Sequence, residues 1–192
     1  MRGLAVQVLV CLALGLALLN GLVRAIGGGS PALLSPLFLE EKLIALGRLG
    51  THYAWHPIRG CVPPSEDALE AAAAKERLPI SLVISIAEVE SGLASHRISA
   101  AGAMGLMQLM PETADRLRVR DPFDAKESAI AGTHFLAELW RRYHGDRRRV
   151  IAAYNAGPGA VPVSGTYTLP RETREYVARV ESRLSRRGQT PP

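Results

Sequence analysis

Cysteine is almost missing: the 192 residues hold two. Cys11 follows Leu9 and Val10 inside an apolar run rather than the small residue a lipoprotein signal requires, which argues against a lipid anchor. If residues 1–25 are removed on export, Cys61 stands alone, no internal disulfide can form, and packing must supply the stability. Aromatic residues make up 5% of the chain. That is too few to interleave with basic side chains as a nucleic-acid groove requires, and no nucleic-acid motif is present, so no such partner is expected. His52 and His56 have helical spacing, but Pro57 and the lack of Cys or carboxylate neighbours in sequence argue against a metal site. No glycine loop is arranged to cradle a phosphate, so neither metal nor cofactor is expected. Convincing strand alternation and internal repeats are also missing, which leaves a mostly α fold.

What is present begins with an export signal. Leu4 to Leu19 is apolar with only Gln7 interrupting it, preceded by Arg2 and followed by Asn20, Gly21 and Arg24. Val23 and Ala25 form a small-residue cleavage site, yet Leu4 to Val23 nearly suffices to span a bilayer. Cleavage and retention as an inner-membrane anchor both stay open; either way the destination is the periplasm or cell envelope. The formal charge is +5, and losing Arg2 and Arg24 would take two from the 23 basic residues and none from the 18 acidic ones. The mild excess left over suits solvated helix faces, with attraction to an anionic wall or lipid surface as the alternative.

Gly27 to Pro31 has linker composition. Pro36 to Arg48 fits a short amphipathic helix, and Gly50 to Pro64, rich in proline without periodicity, reads as irregular. From Ser65 the apolar spacing is helical. Ser65 caps a helix to Arg77, Pro79 opens one to Leu93, and Pro111 opens a short one to Leu117. Asp124 and Glu127 form a capping box for a long helix ending at His144 and Gly145. Asp146 caps the next, which stops near Asn155 to Pro158, and Pro170 begins the last, to about Ser185. The expected organisation is residues 1–25 signal or anchor, 26–60 linker and extension, 61–187 catalytic domain and 188–192 disordered tail.

One helix carries an anomaly. Between Pro79 and Leu93, Ser81, Ser85, Glu88 and Gly92 fall on one side as a polar stripe, whereas Glu90 falls opposite, between Val83 and Ile86. Glu88 thus has a solvent position and Glu90 does not. Apolar surroundings and the C-terminal end of the helix dipole both disfavour its charge, so its pKa should be raised, as a general acid needs. A structural glutamate paired with an arginine is the alternative. Downstream, Ser99 to Pro111 combines Gly102, Gly105, Met104, Met107, Met110 and Gln108, a composition that suits a wall facing a sugar and suits core packing equally well. Tyr154 and Asn155 add a phenol and an amide before the turn at Gly157 to Gly159.

Glu90-Ser91, Gly105 to Gln108 with Met110-Pro111, Ala153 to Gly157, and Glu172 to Arg174 with Tyr176-Val177 occur in an order that closely resembles the soluble-type lytic transglycosylases. The resemblance covers about residues 65 to 182. It implies a lysozyme-like helical domain whose cleft binds the alternating amino-sugar strands of peptidoglycan. By position Glu90 matches the catalytic acid, and Ser99, Gln108, Met110 and Tyr154 match residues lining the sugar sites, with Asn155 in the same motif. Glu172 and Arg174 look structural. The family chemistry needs no second carboxylate: Glu90 would protonate the glycosidic oxygen, the substrate acetamido group would stabilise the anomeric carbon, and Glu90 would then act as base while the 6-hydroxyl attacks, giving a 1,6-anhydromuramoyl end. A hydrolase would instead activate water, with Asp115, Asp121 or Asp124 as base; a noncatalytic wall-binding or secretion-machinery protein would use neither. Any further envelope partner is left unnamed by the sequence.

Overall fold

The computed structural model describes residues 39–55 and 65–188. The export segment 1–25, its cleavage site, the Gly27–Pro31 linker, His56, Cys61 and the tail beyond Gly188 lie outside the described residues. Seven helices follow in order: α1 Leu39–Trp55, α2 Ser65–Glu76, α3 Ile80–Glu90, α4 Pro111–Arg116, α5 Ala125–Arg142, α6 Arg147–Ala156 and α7 Arg171–Gly188. Among the described residues there is no strand, only the isolated bridges Ile98–Met104 and Met104–Leu109, and no helix long and apolar enough to cross a membrane.

The chain builds these helices by capping and composition. α2 is alanine-rich, with Glu66 and Asp67 in its first turn and Lys75 in its last, matching the helix dipole. It ends in a Schellman turn, where the Leu78 amide reaches the Ala73 carbonyl at 3.0 Å and Arg77 takes a left-handed φ of 56°. Pro79 then starts α3. Asp124 accepts from the Glu127 amide to cap α5, and Asp146 from the Arg149 amide to cap α6. The capping box predicted for α5 is only half formed. The Glu127 carboxylate turns away to accept from the Arg120 and Asp121 amides, bracing the approach to the helix instead.

α3 is the axis of the domain. Leu82 to Ala87 are six consecutive buried residues, so this helix is enclosed on every side. It packs on α2 and α7, while α2 also packs on α5, and α6 lies against α5 and α7. This enclosure corrects the expected polar stripe. Ser85 is wholly buried. Glu88 is half-buried and held by Arg187 and Arg183 of α7, with Arg187 also reaching Glu66 at 3.2 Å. The C-terminal end differs as well: α3 stops at Glu90 rather than Leu93, because Gly92 and Leu93 both take positive φ. At the other end of the chain, α1 runs to Trp55, through residues read as irregular. Ala45 and Leu49 are buried on its inner face, and tertiary contact outweighs the low helix propensity of Gly47 and Gly50.

Candidate active site

Glu90 is the last residue of α3, just before the chain turns away at Ser91. Its Oε1 accepts a 2.6 Å hydrogen bond from the Tyr176 hydroxyl of α7. Burial raises the Glu90 pKa from 4.5 to about 7, outweighing the Tyr176 hydrogen bond and the Arg179 charge, both of which lower it. The expectation of a raised pKa is met, and the alternative of a glutamate closed into an arginine ion pair is not: Arg179 acts on it by charge, and the hydrogen-bond partner is a phenol. Tyr176 and Tyr154 are both pushed well above the ordinary tyrosine value, first by burial and then by the Glu90 charge. The two phenols therefore remain neutral hydrogen-bond donors beside a carboxyl group that titrates near neutrality.

The segment from Ser91 to Met110 wraps back over the end of α3. The buried Ser91 hydroxyl donates to the Leu106 carbonyl at 2.8 Å, and Tyr154 donates to the Met107 carbonyl at 2.9 Å. Gly105 admits the Pro122 carbonyl so closely that a Cβ there would lie 1.9 Å from its oxygen. The close approach allowed by this glycine is thus to the protein's own chain. Gln108, with φ of 49°, spends its side-chain amide on the carbonyls of Arg97 and Gly105. The Ser99 hydroxyl accepts from the amides of Ala101 and Ala103. Met104 and Met107 are fully buried and belong to the core, whereas Met110 is half-buried at the N-cap of α4. Asn155 is exposed on α6 beside Tyr154.

The structure thus brings Glu90 and Tyr154 within electrostatic reach, and ties Ser99 and Gln108 to one folded segment. Among the described residues no hydrogen bond joins Ser99, Met110 or Asn155 to Glu90. A groove of about 680 Å³ opens between α4 and α5, lined in part by Thr113, Arg116, Phe135, Glu138 and Arg142. Its Phe135 ring lies 5.5 Å from that of Tyr154, which connects the groove to the Glu90 neighbourhood. Sequence reasoning missed Tyr176 as the partner of Glu90. Its signal was the buried stripe of Thr173, Tyr176, Val177 and Val180 on α7, but a stripe does not name what it faces. The three aspartates weighed as alternative bases are each engaged elsewhere. Asp115 pairs with Arg48, Asp121 with His52 at 2.5 Å, and Asp124 caps α5. No group of three or more His, Cys or carboxylate side chains among the described residues is arranged to hold a metal.

Comparison with known proteins places the domain as a whole. The transglycosylase SLT domain matches residues 67–177. A protein called "Transglycosylase" from Enterobacteria phage PRD1 is 37% identical over 91 residues, covering 47% of this chain and 34% of that protein. Membrane-bound lytic murein transglycosylase D of Escherichia coli strain K12 is 30% identical over 125 residues, covering 55% and 27%. Membrane-bound lytic murein transglycosylase C of Actinobacillus pleuropneumoniae is 36% identical over 99 residues, covering 42% and 27%. The matches thus span about a quarter to a third of the length of these relatives. Among solved structures, an inactive glutamate-to-glutamine mutant of lytic transglycosylase Slt from Pseudomonas aeruginosa superimposes with a TM-score of 0.59 at 30% identity, covering 64% of this chain and 24% of that one. A helical fold shared with a lytic transglycosylase, together with a domain match over more than half the sequence, shows that this chain belongs to the transglycosylase SLT domain family.

Proposed function

We propose that this chain is an envelope lytic transglycosylase that cleaves the β-1,4 bond between N-acetylmuramic acid and N-acetylglucosamine in peptidoglycan without adding water. The observation that carries the proposal is Glu90: a carboxyl group poised near neutral pH at a helix end, oriented by one phenol and, among the described residues, without a carboxylate partner. Near pH 7 a substantial fraction is protonated and can donate to the leaving oxygen, and the resulting carboxylate has the basicity to take a proton back. Tyr176 holds Oε1 in place for both steps. The engagement of Asp115, Asp121 and Asp124 by other groups disfavours a water-activating base, and so supports attack by the sugar's own 6-hydroxyl to give a 1,6-anhydromuramoyl end. Inactivity of a glutamate-to-glutamine form of the Pseudomonas aeruginosa relative fits a reaction that rests on one glutamate.

In this reading Ser99, Gln108, Met110, Tyr154 and Asn155 border the sugar-binding cleft. Ser99 and Gln108 act mainly through the backbone they brace, since much of their hydrogen-bonding capacity is spent internally. The apolar segment of residues 1–25 directs the domain to the envelope, by cleavage or as an anchor. Digestion of purified sacculi with protein beginning at Ile26, followed by mass spectrometry, tests the proposal. Fragments with anhydro ends support it. Fragments one water heavier would make the protein a hydrolase, and no release would make it a noncatalytic binder.

A further inference from the structure

We infer that α1, which precedes the matched domain, is a built-in brace for the wall of the cleft, with Arg48, Leu49 and His52 as positioning residues. The inference rests on the proposed function for its substrate and on the packing of α1 for its geometry. Lys42, Ala45 and Leu49, at 2%, 0% and 3% exposure, form the helix's inner face, while Leu43 at 54% points outward. The backbone of Glu41 presses on Gly102, where a Cβ would lie 2.6 Å from the Glu41 Cβ and 2.7 Å from its carbonyl carbon. Arg48 pairs with Asp115 at the end of α4. His52 pairs with Asp121 at 2.5 Å, and its ring centroid lies 5.0 Å from that of His96 and 6.3 Å from that of Phe123. Tyr53 packs on His96 at 5.5 Å.

These contacts all fall between residues 96 and 123, on the excursion that links α3 to α5 and carries Ser99, Gln108 and Met110. That excursion has little structure of its own. It holds one six-residue helix and two isolated bridges, and its Gln108 sits in the left-handed region that a non-glycine residue adopts only when its surroundings impose it. Its turns are hydrogen-bonded and Met104, Leu106, Met107 and Leu109 anchor it in the core, but a segment with so little regular secondary structure opens locally more readily than a helix unless neighbouring elements also hold it. α1 supplies that hold at both ends, at His96 and Gly102 and at Asp115 and Asp121, so the sugar-facing residues Ser99, Gln108 and Met110 lie within a span braced by a helix outside the matched region.

The test compares the full chain with Leu49→Asp, which puts a charge into the buried face, and with the outward-facing control Leu43→Asp. Fragment release from soluble glycan strands is measured against substrate concentration, and amide hydrogen exchange is followed over residues 98–110. Leu49→Asp should raise KM about tenfold with kcat changed far less, as expected for lost substrate positioning, and exchange should quicken over 98–110 while α3 stays protected. Leu43→Asp should match wild type. If Leu49→Asp does not accumulate as folded protein, Arg48→Glu should raise KM and the charge exchange Arg48→Glu with Asp115→Arg should restore it. Unchanged KM and exchange in a released α1, or no rescue by the exchange, overturns the inference. If wild-type protein releases nothing, the functional reading fails; the hydrogen-exchange comparison still decides whether α1 braces the excursion.

Discussion

Replacing Glu90 by glutamine should make the protein more stable above neutral pH while removing its activity. The native state holds the Glu90 carboxyl at a pKa of about 7, against 4.5 for an ordinary glutamate. Folding therefore favours the protonated form, and stability falls as pH rises from about 4.5 to 7, then levels off. At about 1.4 kcal/mol per unit, ionisation of Glu90 costs about 3 kcal/mol at pH 8 and under about 0.5 kcal/mol at pH 4.5. Glutamine has the same shape, can still accept from Tyr176 and never ionises. Urea unfolding of both proteins from pH 4.5 to 8 measures the difference, in which all other titrating groups cancel. The gap should open by about 3 kcal/mol across that range, and the same variant should lose about 10² to 10⁴ in fragment release. A stability difference that stays flat with pH would refute the raised pKa, and near wild-type release would refute the role of Glu90 as acid.

Removing the Tyr176 hydroxyl with Tyr176→Phe takes away an interaction that lowers the Glu90 pKa, so the alkaline limb of the pH–rate profile should move to higher pH; an unmoved limb would disconnect the two residues. Glu88→Gln, at a position the sequence placed in solvent, should destabilise by about 1–2 kcal/mol in urea melts, since it removes the charge that pairs with Arg187 and Arg183, while turnover of the folded protein persists. Digestion in ¹⁸O-labelled water should give unlabelled anhydro ends; label in the product, together with loss of turnover on substituting Asp115, Asp121 or Asp124, would assign a hydrolase.

Much was already settled by the sequence alone. Periodicity and caps locate the helices from Ser65 onward because an Asp at an N-cap, a proline at a first turn and a repeating apolar spacing act within a few residues of themselves. The same locality makes Glu90 stand out, since a carboxylate on the apolar side of a helix can be recognised from that helix alone. What lies opposite it could not be recognised. Tyr176 is 86 residues away in the chain, and only the packing of α7 on α3 decides that a phenol, rather than an arginine, meets the carboxylate. Glu88 and Ser85 were misplaced for the converse reason: a helical wheel ranks the faces of one helix, but α3 is covered on all sides, so its polar side is also inside. The length of α1 was equally hidden, because its glycines argue locally against helix while its support comes from Gly102, Asp115 and Asp121 across the fold. Local rules wrote the helices and their one anomalous glutamate, and long-range packing alone chose the partners that set its chemistry.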